Sequence, residues 1–180
     1  VGDTAGVTFI AVGNPAHPIV VGNIDTPYRA RGLALAGDTA YIACKLPTPA
    51  DQRDQPVWPT YGGIMIVDAS DPASPRQVSI SGGHLDDYRG NARWGIGATN
   101  GYALLAAAEG YVRAIDVHDS SSPVEVQKLR VPGVVGALAT TGDYAYVAGQ
   151  DAGRLVLRVN GDTGIPEASG IFLPSILRRH

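Results

Sequence analysis

Four kinds of residue in this chain could do chemistry: strand-end aspartates, scattered histidines, a lone cysteine, and two tryptophans set among tyrosines and arginines. Asp68 and Asp116 each close an apolar run, and Asp71 and Asp119 stand three residues further on. Carboxylates repeated in this way could form a ligand set for a metal ion. They could also accept backbone N–H bonds in the turn that follows, and recurrence at the same point of each unit is what a turn device requires. The four are read as structural turn residues. His17, His84, His118 and His180 lie far apart in sequence. His17 and His118 fall in comparable connections, and both are read as exposed loop histidines. Cys44 sits in an apolar run and reads as a small buried hydrophobe rather than a reactive thiolate. It is the single cysteine, so it forms no intrachain disulfide.

No nucleophile elbow, zinc-protease helix, phosphate loop or paired Cys-x-x-Cys occurs, so no catalytic residue, metal site or cofactor is assigned. The loop 160–164 is faintly calcium-like but lacks the later acidic ligand of an EF-hand loop, and reads as a plain turn. The tryptophans and their neighbours point elsewhere. They are carried by two insertions, Lys45–Tyr61 and Ser81–Trp94, and by the connection Asp25–Arg31. These hold Tyr28, Arg29, Arg31, Arg53, Trp58, Tyr61, His84, Tyr88, Arg89, Arg93 and Trp94. Trp, Tyr and Arg anchor interfaces, and loops on a rigid scaffold are where binding is commonly placed. This set is the expected partner-binding surface. A second role is compatible with it: the rings pin the long loops to the scaffold.

The elements that position these residues are read from internal repetition. Gly37–Ala43, Asn100–Ala106 and Gly142–Ala148 each open on a two-residue turn signal, Gly-Asp or Asn-Gly, followed by a small-aromatic-aliphatic run. Between them an apolar strand ending in Asp leads into a Ser/Asp/Pro connection, at Gly63–Pro75 and Tyr111–Pro123, with a partial copy at Thr8–Pro18. A degenerate copy at 155–162 has lost the strand-end Asp. Gly37 to Gly142 and Pro18 to Pro123 are both 105 residues, and Asn100 to Gly142 is 42, the basic period. Four short strands per period, with hairpin turns, predict four-stranded antiparallel meanders stacked as β-propeller blades. The expected organisation is a single all-β partial propeller. Residues 1–17 give the last strand of a preceding blade. Blades follow at 18–75 (insertion 45–61), 76–123 (insertion 81–94) and 124–165, with Asp71-Pro72 and Pro75 stiffening the blade-to-blade links. Residues 166–180 give the first strand of a following blade and a tail. Because strands alternate direction, both insertions and Asp25–Arg31 are expected on one face, the insertions from neighbouring blades.

Ile64–Asp68, Ser70–Pro75, Gly37–Ala43 and Gly142–Ala148 together resemble the LVIVD repeat. The resemblance covers the chain from about Thr8 to Ile165. Members of that family are mostly bacterial and archaeal surface or secreted proteins predicted to form propellers. The resemblance therefore implies an extracellular, cell-surface or periplasmic location, and it bears on fold more than on activity.

Composition bounds the function. A net charge of −3 argues against a general nucleic-acid surface, and no stretch has the ~18 apolar residues of a membrane-spanning helix. The chain opens at Val1 with no basic-then-apolar leader, which fits either a removed leader or an excerpt. About fourteen strands are counted, where four blades of four need about sixteen. An excerpt of a longer protein is the favoured explanation; packing against other subunits and an irregular blade are the alternatives. The expected function is a non-catalytic binding or structural scaffold module, with protein partners or neighbouring subunits, no cofactor, no nucleic acid and no membrane insertion. The competing readings are a propeller hydrolase or lyase acting on sugars or peptides, and an envelope ligand or metal sensor.

Overall fold

The computed structural model describes residues 6–26, 30–46, 60–85, 95–107, 110–131, 135–149, 154–159 and 166–167. They form fourteen strands and no helix: β1 Val7–Ala11, β2 Ile19–Ile24, β3 Ala30–Ala36, β4 Thr39–Leu46, β5 Thr60–Asp68, β6 Arg76–Leu85, β7 Gly95–Thr99, β8 Tyr102–Ala107, β9 Tyr111–Asp116, β10 Val124–Arg130, β11 Val135–Thr141, β12 Tyr144–Gly149, β13 Arg154–Val159 and β14 Pro166–Glu167. Three four-stranded antiparallel sheets run β3 to β6, β7 to β10 and β11 to β14, and β1–β2 forms a separate pair.

Turn chemistry explains the hairpins. Gly37 and Gly142 take positive φ, 58° and 51°, at the first central position of their turns, as a type II′ hairpin needs. Asn100 and Gly101 are both positive, 51° and 75°, which is the type I′ pattern. The strands that follow carry β-branched and aromatic residues whose alternate side chains reach opposite faces.

The sheets are offset by one strand from the units expected at 18–75, 76–123 and 124–165. The Ser-Asp-Pro-x-x-Pro connection does not link blades. It turns back within a sheet, so Asp68 pairs with Arg76 and Asp116 with Val124. A backbone bond across each turn, Ser74 N–H to Asp71 O and Ser122 N–H to Asp119 O, both 3.0 Å, makes the return tight enough for the next strand to rejoin the one before it. Three consequences correct the expectation. Asp71-Pro72 and Pro75 stiffen a hairpin. Pro166–Glu167 pairs with β13 as a fourth strand of the last sheet instead of opening a new blade. The pair β1–β2 is the outer half of a preceding blade, two strands rather than one.

The sheets stack face to face, and their first strands run side by side: β3 contacts β7, and β7 contacts β11. These are the innermost strands. One core lies between the first two full sheets, with Tyr41, Ile64 and Ile66 on one side and Ile96, Leu105, Ile115 and Val117 on the other. The next core repeats it, with Leu104, Val112 and Ala114 against Leu138, Val147, Leu157 and Val159. A third places Ile42, Cys44, Met65 and Val67 beneath Val7, Phe9 and Ile24 of β1–β2. Each fully buried Ile or Leu contributes about 1.5–3 kcal/mol relative to exposure. Close approach at the centre depends on glycine. A Cβ on Gly95 would lie 2.5 Å from the Leu138 nitrogen, and one on Gly97 would lie 2.6 Å from Leu138 Cδ2.

Hydrogen bonds between sheets recur at about one repeat's separation. Ser79 Oγ donates to Ser120 O (2.6 Å), Thr140 Oγ1 to Ala98 O (3.1 Å), and Thr99 Oγ1 to Gly142 O. Asn100 Nδ2 donates to Asp143 Oδ1 and to Val159 O, both 3.1 Å, joining equivalent turns of adjacent sheets. Among the described residues, nothing covers the outer faces of the stack. Leu33 on β3 is 48% exposed, whereas its repeat equivalents Ile96 and Leu138 are 6% and 9% exposed. The β1–β2 pair lies over the outer part of this sheet, and nothing among the described residues covers β3 from that side. The outermost strands share another device. Val21, Val78 and Val126 are each the extra residue of a β-bulge, at the third position of β2, β6 and β10.

Candidate functional site

Successive strands point to two ends of the stack, and the chain uses them differently. One end holds the tight turns at 37–38, 69–75, 100–101, 117–123 and 142–143. The other holds the connections that carry both insertions.

At the turn end, the aspartates serve the backbone. Asp68 Oδ1 accepts from Ser70 N–H (3.0 Å) and from the Ser70 hydroxyl (2.6 Å), and Arg76 Nη2 lies 2.8 Å from Asp68 Oδ2. Asp71 Oδ1 accepts from Ala73 N–H at 3.0 Å. Asp116 Oδ1 accepts from His118 N–H at 3.0 Å and lies 2.8 Å from His118 Nδ1. Asp119 Oδ1 accepts from Ser121 N–H at 2.9 Å and from its hydroxyl at 2.6 Å. Asn14 does the same for Ala16 N–H at 3.1 Å. These are Asx turns, repeated at each hairpin. The Ser70 hydroxyl, then Ser70 N–H and Arg76, hold the Asp68 carboxyl down at about 2. His118 lowers that of Asp116, chiefly through its backbone N–H, and Ser121 lowers that of Asp119, chiefly through its hydroxyl. Carboxylates held ionised by their own turns are poor general acids. His118 is exposed and stands edge-on to Tyr102, with ring centroids 5.2 Å apart and its ring over Gly101. Among the described residues, no three His, Cys, Asp or Glu gather as a metal site would require. Burial pushes the Cys44 thiol up to about 11, the opposite of what a nucleophile needs.

At the other end, β-register brings the insertions together. Leu46 pairs with Tyr61, and Tyr61 pairs with His84, so one row across β4, β5 and β6 ends both insertions at the same edge of one sheet. Both therefore leave from a single sheet, not from neighbouring blades: the first loop is internal to it, and the second leads from β6 to β7. The strands also run further than expected, since Lys45, Leu46, Thr60, Tyr61 and Ser81–Leu85 are paired strand residues. Arg31 is the extra residue of a bulge between Ala30 and Gly32 on β3, and it is exposed near the same end. Of the expected partner-binding set, Arg31, Tyr61 and His84 share this sheet end. Tyr28, Arg29, Arg53, Trp58, Tyr88, Arg89, Arg93 and Trp94 lie outside the described residues.

Sequence reasoning passed over one feature here. Below the Tyr61–His84 row, Gly62 pairs with Gly83 and Gly63 with Gly82, leaving a window of bare backbone. The mirrored spelling Tyr61-Gly62-Gly63 and Gly82-Gly83-His84 was its signal. Also passed over was Arg113, buried in β9 with Nη1 2.9 Å from Glu125 Oε2.

Comparison with known proteins agrees with this repeated architecture. The family model described as the LVIVD repeat matches residues 1–26, 60–83 and 132–157. The first two matches span the hairpins β1–β2 and β5–β6, and the third spans β11, β12 and most of β13. No curated protein matches the chain in sequence. Among solved structures, the chain is similar to a functionally unknown protein from Desulfotomaculum acetoxidans DSM 771, at 13% identity and a TM-score of 0.48. That match covers 94% of this chain and 63% of the other, so the chain spans less than two thirds of that protein's length. With the motif matched at three places along an all-β chain of repeated hairpins, the chain carries LVIVD repeats.

Proposed function

We propose that this chain is a non-catalytic binding or scaffold module of a secreted or cell-envelope protein, taking protein partners through the end that carries its two insertions. The observation that carries the reading is the Leu46–Tyr61–His84 row, which brings both tryptophan-bearing insertions to one sheet edge. Register alone brings the strand ends that bear the insertions together, and loops carried on paired strands are where binding is commonly placed. Arg31 adds an exposed cation on the innermost strand of the same sheet. The turn end supports the division of labour: its carboxylates are engaged by their own backbone and leave that end structural. The extracellular setting rests on the kinship with surface and secreted repeat proteins.

The test is Trp58→Ala combined with Arg89→Ala, compared with Asp143→Ala at the opposite end, in quantitative capture of protein partners. Each hot-spot truncation costs roughly 2 kcal/mol or more, so the double variant loses binding while the opposite-end variant retains it. Unchanged binding in the double variant, with the fold intact by circular dichroism, would count decisively against this face.

A further inference from the structure

The outer edges of the sheets are guarded unequally. Past its valine bulge, β2 runs for three paired residues, Gly22 to Ile24, and β10 for four, Gln127 to Arg130. Two of those four are the cations Lys128 and Arg130, the residue type that keeps an open edge from pairing. Past its own bulge, β6 runs for seven, Ser79 to Leu85, in unbroken register with β5. That stretch reads Ser-Ile-Ser-Gly-Gly-His-Leu, with no Lys, Arg, Asp, Glu or Pro and no second bulge. In an antiparallel strand every second residue turns its N–H and C=O away from its partner. β6 is the last strand of its sheet, and among the described residues no strand pairs with its outer side. The sheet is interior to the stack, with β1–β2 packed on one face and β7 to β9 on the other.

Gly63 and Gly82 pair across β5 and β6 but answer to different neighbours. A Cβ on Gly63 would collide with Ser81 O, so that glycine serves the pairing of the two strands. Gly82 is exposed on the open strand. Glycine inside a strand often marks a close approach of another backbone. Ile80, on the same face of β6 as Gly82, is 38% exposed. Ser79 and Ser81, on the other face, donate their hydroxyls to Ser120 O and Pro123 O of the next sheet.

We propose that β6 takes an extended segment of a protein partner as a fifth strand of its sheet, along Ser79–Leu85. The inference rests on the reading of the insertion end as the partner surface and names its mode: backbone hydrogen bonds give the contact and alternate side chains give the choice. The segment carries apolar residues at alternate positions beside Ile80, with an aromatic ring over the bare Gly82. A second copy is the poorer occupant. Two β6 strands paired about a two-fold over this stretch would centre on Gly82 and set glycine against glycine, with no side-chain pair in the middle.

The probe is a fluorescent peptide, Lys-Thr-Val-Thr-Phe-Thr-Val-Thr-Lys, with two twins: one N-methylated at the apolar residues, the other at the threonines. A paired strand uses only one of its edges, so one twin binds about tenfold more weakly than the parent and the other binds as well. The parent also slows exchange of the outward amides of Ser79–Leu85. Ile80→Lys, a charge on the exposed edge, abolishes both effects; the twins need no variant, so the test stands whether or not that variant folds. A parent peptide that does not bind overturns the proposal, as do twins that both lose or both keep binding. Outward amides already slow in the peptide-free chain overturn it too: slow at every concentration, the chain covers its own edge; slow only at high concentration, a second copy does. Partner capture separates the two readings. Capture lost in the Trp58→Ala, Arg89→Ala double variant but kept in Ile80→Lys overturns the strand mode alone. Capture kept in the double variant but lost in Ile80→Lys overturns the loop reading and leaves the strand.

Discussion

Exchanging glycine and alanine at two equivalent positions, Gly95→Ala and Ala137→Gly, should destabilise the protein in both cases, because the two sites prefer opposite residues. Gly95 opens β7 opposite Ala106, and Ala137 opens the same register on β11 opposite Ala148. At position 95, the next sheet lies against the strand: an added Cβ would sit 2.5 Å from the Leu138 nitrogen and 2.9 Å from Ala137 C and Leu138 Cβ. Ordinary carbon contacts are ~3.5–4.0 Å, so the backbone of β11 must retreat by about an ångström. Overpacking of this kind costs about 1–3 kcal/mol. Restricting the unfolded chain returns about 0.4–1 kcal/mol. Gly95→Ala should therefore destabilise by about 1–2 kcal/mol, or several degrees in melting temperature at ~2–4 °C per kcal/mol. Ala137 is exposed, and no described sheet lies against it. Ala137→Gly there loses only the backbone term, about 0.5–1 kcal/mol, so alanine is the better residue at 137 and the worse one at 95. Urea and thermal unfolding of both variants provide the measurement. If Gly95→Ala proves as stable as the wild type or more so, the inner strands are not packed backbone to backbone and the stacking argument fails.

Two other outcomes are expected. The Asp68 carboxyl is depressed on folding to about 2 from an ordinary 3.8. Its stabilising contribution is therefore complete above about pH 4 and is lost as pH falls toward 2; the group is exposed, so the effect is small. Thermal melts of Asp68→Ser across that window should show a shallower acid decline than the wild type, and an unchanged slope would refute the assignment. Arg113 occupies the place held by Met65 in the preceding sheet, and buried ion pairs are often neutral or stabilising to replace. Arg113→Met should be within about 1 kcal/mol of the wild type, whereas Glu125→Ala, which removes one exposed carboxylate partner from a buried guanidinium, should destabilise by about 1–3 kcal/mol. The denaturation midpoints of the pair decide it.

The hairpins were legible because Gly37-Asp38, Asn100-Gly101 and Gly142-Asp143 are short, and few residues tolerate their backbone. The phase of the sheets was not. A seven-residue connection such as 69–75 is as long as many inter-blade links, and its prolines suit either. What settles it is the register of Asp68 against Arg76, a relation between strands that no local pattern spells out. Parity placed both insertions at one end correctly, since alternation of direction survives a shift of phase, yet it assigned them to two blades where the pairing assigns one sheet. The Asx turns were legible for the same reason as the hairpins: the bond is local, from Asp68 to Ser70 and from Asp119 to Ser121. The burial of Arg113 was hidden because its partner Glu125 lies across a strand and beyond a bulge.

The valine bulges at 21, 78 and 126 protect the rim of the stack. An outermost strand normally offers a straight ladder of free N–H and C=O groups to any passing strand. One extra residue at the third position of β2, β6 and β10 breaks the ladder's spacing and adds local twist, which hinders a second edge from zipping along it. Within the repeat unit, three of the four outer strands are thereby made poor partners for sideways pairing, while the apolar sheet faces stay free to stack. Face-to-face stacking, and not edge-to-edge pairing, is the contact this repeat is built to make.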